Sequence, residues 1–147
     1  MQTSSREWLY QQIVEEAQDA IVFADQDGII RLWNSGAEAI FGYSAEEALG
    51  QTLDLIVPEK MRERHWEGYR RVMESGITRY GSEVLAVPAL NKDNSRISVE
   101  FTIVLLKDTT GKPQGTAAIM RDVTERWHKE KELKNRLKEL EERKTKM

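Results

Sequence analysis

The chain of 147 residues carries 22 basic and 25 acidic side chains for a formal net charge of −3, is 39% hydrophobic and 32% charged, and contains no cysteine. That size suits one domain plus an appendage, and the lack of cysteine excludes disulfides, thiolate zinc sites, CxxCH haem attachment and cysteinyl photo-adducts. The charges are interspersed without a basic block and no 18-residue apolar run occurs, so neither nucleic acid nor a membrane is expected as partner. The N-terminal MQTSSREWLYQQ lacks a signal pattern, and the cytoplasm is the expected compartment.

From Ser5 to Gln18 the spacing of Trp8, Leu9, Gln12, Ile13, Glu16 and Ala17 predicts a short amphipathic leader helix, with Ser4 or Ser5 as N-cap. Ala20 to Ala24 and Ile29 to Trp33 are β-type runs joined by Asp25-Gln26-Asp27-Gly28, a turn with glycine where positive φ is required, so a hairpin is expected. Asn34 or Ser35 can cap a helix over 36–41 that Gly42 ends. Ser44 with Glu47 forms a capping-box pair for another that stops at Gly50. Pro58 has the profile of a first helical residue, and a longer helix is expected from there to Gly76.

Three runs rich in Val, Ile, Leu, Phe and Thr follow, over 79–90, 96–107 and 114–121. The middle run alternates, with Ile97, Val99, Phe101, Ile103 and Leu105 on one face and Arg96, Ser98, Glu100 and Thr102 on the other. Turns fall at 91–94 and 108–113, Asn94 standing where glycine often supplies a left-handed residue. The sum is an α+β domain: an antiparallel sheet of about five strands faced on one side by helices.

From Thr124 the composition turns to charged helix formers. Leu133, Leu137 and Leu140, extended to Met147, keep heptad spacing, and Val123 shares the register, while Arg126, Glu130 and Lys144 fall on core-type positions. A two-stranded coiled coil is one use of this helix; a solvated single helix held by Glu-to-Lys pairs is the other. The expected organisation is a leader helix over 1–19, a domain over 20–123 and a coiled-coil helix over 124–147.

The stretch from Pro58 to Gly81 holds the candidate chemistry. On a helix, Met61, His65, Gly68, Tyr69, Val72 and Gly76 share one face and Glu59, Arg62, Glu63, Glu67, Arg70 and Glu74 point away. His65 therefore lies on the apolar side, where an imidazole needs a hydrogen-bond partner or a metal. Gly68, one turn on, leaves a gap through which a flat group could approach.

IRLWNSGAEAIFGYSAEEALGQTL, NKDNSRISVEF and MRDVTE, in that order, resemble the two halves and the ending of a PAS domain, over residues 21–125. Thr124 stands where that ending hands the last strand to a signalling helix. The resemblance implies a five-stranded PAS fold in a sensor of the two-component kind, with an effector such as a histidine kinase or cyclase outside this chain and no enzyme within it.

The helix resembles that of haem-binding PAS sensors of the FixL, direct oxygen sensor and RcoM types, in the placing of His65, Tyr69 and Gly76. By that resemblance His65 is the proximal iron ligand of haem b through Nε2 and the signal is a diatomic gas (O2, CO or NO). Arg71 and Arg79 would hold the propionates, with solvated charges as the other reading. Val84, Leu85, Phe101, Ile103 and Ile119 would wall the gas pocket. Ser82, Glu83, Val84 and Leu85 offer no distal arginine, cysteine or methionine. A homodimer through the leader helix and coiled coil is expected. The alternatives are a haem-free dimerisation and relay module, with His65 a core residue bonded to a carbonyl, and a PAS binding flavin. With His65 and His128 the only histidines and no GxSxG or phosphate loop, an enzyme has little support.

Overall fold

The structure is a computed structural model and describes residues 2–78 and 83–146. Helix α1 (Gln2–Glu16) leads into strand β1 (Ala20–Asp25) and its partner β2 (Ile30–Trp33). Helices α2 (Ser35–Phe41) and α3 (Ala45–Ala48), single 3-10 turns at Leu53–Leu55 and Glu59–Met61, and helix α4 (Arg62–Ser75) follow. Strands β3 (Leu85–Leu90), β4 (Arg96–Lys107) and β5 (Pro113–Asp122) complete the sheet before helix α5 (Thr124–Lys146). The five strands lie antiparallel, as expected, in the order β2-β1-β5-β4-β3.

Local chemistry explains the helix boundaries. The Ser44 hydroxyl accepts from the Glu47 amide and the Glu47 carboxylate accepts from the Ser44 amide, the reciprocal pairing that opens α3. Asn34 caps α2 through the Ala37 amide, and Gly42 ends it at φ 83°. Asn34 does more than cap, being almost fully buried. Its Oδ1 also accepts from Ile21 N (2.8 Å), and its Nδ2 donates to the carbonyls of Val14 (2.7 Å) and Asp19 (3.0 Å). One amide thus ties the end of α1 and the entry of β1 to α2.

The core lies between the sheet and α2, α3 and the turn at Ile56. Val22, Trp33, Ala89, Ile97, Val99 and Met120 meet Ala37, Phe41 and Ala48 there. Phe41 is fully buried against Trp33 at 5.4 Å between ring centroids, and burying a side chain of that size stabilises by roughly 1.5–3 kcal/mol. The Trp33 indole donates to the Tyr43 carbonyl, which satisfies its one polar atom.

Register decides which residues face the helices. Phe101 pairs with Leu85 and Met120, and Ile103 with Ala118, on the inner face. Thr102 pairs with Ile119, which pairs in turn with Ile21, on the outer face. That face carries exposed Val104, Leu106 and Ile119. Trp8, Leu9, Tyr10 and Ile13 of α1, Trp127 and the α5 leucines are exposed too, so Trp8, Leu9 and Ile13 of the apolar stripe expected for the leader helix are left uncovered by the described residues. Among the described residues no helix is long and apolar enough to cross a membrane.

Candidate functional site

Helix α4 does not begin at Pro58. That residue is extended (φ −56°, ψ 140°) and precedes a 3-10 turn, so α4 proper starts at Arg62, and Gly76 closes it at φ 70° with its N–H on the Val72 carbonyl. The Arg62 guanidinium pins the start by donating to the carbonyls of Val57 (3.1 Å) and Asp54 (3.2 Å). Tyr69 pins the middle. Its ring is 8% exposed and its hydroxyl reaches the carbonyls of Asp25 (2.5 Å) and Ala24 (3.1 Å) at the end of β1. Burial pushes that phenol above the ordinary range, the Asp25 and Asp27 charges adding to the effect, so it stays a donor.

His65 lies one turn before Tyr69. Its imidazole meets Trp66 edge-on at 4.9 Å and Tyr69 at 5.9 Å, and Nδ1 is buried with no hydrogen-bond partner. Burial holds its pKa below the usual imidazole range, against the opposing pull of the Asp54 carboxylate. The ring is therefore neutral at neutral pH, the form that ligates a metal. Trp66 packs against Tyr69 at 5.7 Å, and its indole N–H donates to Asp54 Oδ1 at 2.7 Å. Sequence reasoning missed Asp54 and Trp66 as parts of this cluster. The helical wheel carried the signal, since Trp66 sits about 60° from Tyr69 on the inward side.

The expected residues divide into groups. Met61 and Val72 are half-buried on the inward side of α4, and Leu85, Phe101 and Ile103 stand half-buried on the inner sheet face. Gly68 is a correction: it is exposed, and a Cβ added there would meet nothing within 4 Å, so it opens to solvent and not beside the imidazole. Arg71 is another, being held by Glu67 at 2.6 Å in an exposed i,i+4 ion pair away from the inward face. Ile119 lies on the outer face, on the other side of the sheet from Phe101, and Val84 is 59% exposed just before β3. Neither can wall a pocket against α4. Arg79, together with the start of the strand expected from residue 79, lies outside the described residues.

Haem b can be tested against what remains. The donor type fits: a half-buried, neutral imidazole whose Nδ1 has no protein partner, on a helix packed against the sheet. The wall fits as well, because Leu85, Phe101, Ile103 and Leu105 are only half-buried on the inner face while Ile97, Val99 and Met120 are buried. A bare ion suits the place poorly, since the described residues hold no group of three His, Cys, Asp or Glu that could bind a metal. One histidine suits a metal whose other ligands arrive with it. Two surface cavities, of about 230 Å³ between α2 and the β3–β4 turn and about 290 Å³ along α5, lie away from His65.

A family model described as PAS fold matches residues 14–128. The chain is 31% identical over 124 residues to the sensor protein FixL of Bradyrhizobium diazoefficiens, covering 82% of this chain and 24% of that one. It is 28% identical over 129 residues to the cell-division control histidine kinase PdhS of Brucella ovis, covering 88% and 12%. The chain thus spans a quarter or less of the length of these curated relatives. A crystal structure of the PAS domain of a Colwellia psychrerythraea protein superposes with a TM-score of 0.71 at 26% identity, over 82% of this chain and 98% of that one.

Proposed function

The chain belongs to the PAS fold family, and on that premise we propose that it is the sensory domain of a signal-transduction protein, binding haem b through His65 and sensing a diatomic gas. The observation that carries the reading is the half-buried, neutral imidazole of His65 on the helix that packs against a half-covered apolar sheet face, with Nδ1 left without a protein partner and Nε2 the ligating atom that the family resemblance implies. The placing of His65, Tyr69 and Gly76, which resembles that in haem-binding PAS sensors, supports the choice of haem over other flat ligands. Haem b bound there supplies an iron site for O2, CO or NO.

The chain's own residues then have distinct tasks. His65 would hold the iron, through Nε2 by the family resemblance, while Met61, Val72, Leu85, Phe101 and Ile103 would exclude water from the porphyrin. Tyr69 fixes the height of α4 above the sheet through the Asp25 and Ala24 carbonyls. Relay runs along β4, which carries Phe101 and Ile103 inward and the α5 joint at its other end. Val123 N–H donates to the Ser98 carbonyl (2.9 Å), Ser98 N–H donates to Thr124 Oγ1 (2.9 Å), and Thr124 donates its amide and hydroxyl to Asp122 Oδ1. The Arg126–Glu100 ion pair adds a second tie. A shift of β4 thereby reaches α5, whose exposed Leu133, Leu137 and Leu140 form the seam of a homodimer leading to an effector.

The test is the absorption spectrum of the chain expressed with haem supply, before and after dithionite and CO. A Soret band that is lost in His65→Ala supports the reading. A colourless wild type after hemin reconstitution overturns it and leaves a relay module in which His65 is a core residue.

A further inference from the structure

We propose that Trp66 is the residue that decides whether α4 opens from the sheet: its indole latches the N-terminal half of α4 onto the β1–β2 turn, and a planar ligand enters beside His65 only when the indole swings off Gly28. The latch rests on the reading of that side of α4 as the ligand site, but its parts are visible without any ligand. Gly28 is buried at φ 75°, and a Cβ there would overlap the Cζ3 and Cη2 atoms of Trp66, so the indole lies directly on the turn's backbone. The indole N–H is bonded to Asp54 Oδ1 at 2.7 Å, and the ring stands edge-on to both His65 and Tyr69. One side chain thus joins the β1–β2 turn, the 3-10 turn at Leu53–Leu55 and the candidate ligand.

The position of this latch makes it an opening point. Tyr69 is anchored to β1 by a buried hydroxyl, whereas Trp66 remains half-exposed and is held by one polar bond, by its ring lying on the Gly28 backbone and by edge contacts with His65 and Tyr69. The Arg62 guanidinium ties the start of α4 to the Val57 and Asp54 carbonyls and not to the sheet. The two anchors lie about one helical turn apart. The N-terminal anchor yields first and Tyr69 acts as the pivot, which moves His65 relative to Phe101 and Ile103 while the C-terminal half of α4 stays docked. A tryptophan at this place therefore excludes ligands that cannot displace an indole and admits large planar apolar ones.

The latch is tested by Trp66→Phe, which keeps an aromatic ring but removes the bond to Asp54, with Trp66→Ala as the stronger variant. In stopped-flow mixing with hemin, the association rate rises about tenfold in Trp66→Phe, the scale of one lost hydrogen bond to a charged group. Hydrogen exchange of the ligand-free chain reads the latch independently. Amides of Trp66, Glu67 and Gly68 exchange about tenfold faster in the variant, while those of Val72 to Ser75 keep the wild-type rate. Unchanged exchange in both halves, or equal acceleration of both, overturns the latch. A wild type that takes up no hemin overturns the haem reading alone, since the exchange pattern still decides the latch.

Discussion

The imidazole of His65 stands among the rings of Trp66 and Tyr69 with Nδ1 unbonded, and an unbonded polar atom so placed costs about 1–3 kcal/mol. Charging it there costs more, which is why its folded pKa falls below the unfolded value of roughly 6.5. The sign of the linkage follows. A depressed folded pKa means that the unfolded chain binds the proton more readily, so the contribution of neutral His65 is present above the unfolded value and is lost as pH falls through the folded one. Urea denaturation at about pH 7.5 and about pH 5 measures this. The ligand-free wild type loses more stability on acidification than His65→Phe, and at the higher pH that variant is neutral or up to about 1 kcal/mol more stable. An equal pH response in both proteins contradicts the assigned burial.

Helix α4 was legible as a helix, yet not its start or its inward centre. Proline fits a first helical position and the residue before a 3-10 turn equally well, and only the extended ψ of Pro58 separates the two. The inward arc runs from Met61 through His65 and Tyr69 to Trp66 and is centred on Tyr69. Gly68 lies just beyond its edge, so a wheel centred on His65 places the glycine inside and the tryptophan outside. Helix α5 presents the opposite case. Its heptad leucines were plain in the sequence, and the structure leaves Leu133, Leu137 and Leu140 more than half exposed, 56% at the least. The proposed homodimer would cover that face with a second copy of matching periodicity. Light scattering gives the mass of a dimer for the wild type and of a monomer for Leu137→Glu; a variant that stays dimeric places the interface elsewhere.

The molecule as a whole was read from local signals that stay local when folded. The Ser44–Glu47 capping box, the Asn34 cap and the alternation of β4 each act within a few residues and appear where the sequence puts them. Residues facing a pocket across strands depend on register, which is set by pairing between distant segments. Ile119 shows the consequence: one step along β5 from inward Met120 and Ala118, it lies on the far face, and no apolar count could have told them apart. Asn34 likewise reads as one cap, while its buried amide joins three segments only after folding brings Val14 and Asp19 beside it. The central claim is that His65 is the iron ligand, and the measurement that tests it most directly is the resonance Raman spectrum of the dithionite-reduced, hemin-reconstituted chain. An iron–histidine stretching band in the wild type, absent in His65→Gly and restored by added imidazole, is the predicted result; a band that persists in His65→Gly without imidazole, or a wild type without one, contradicts it.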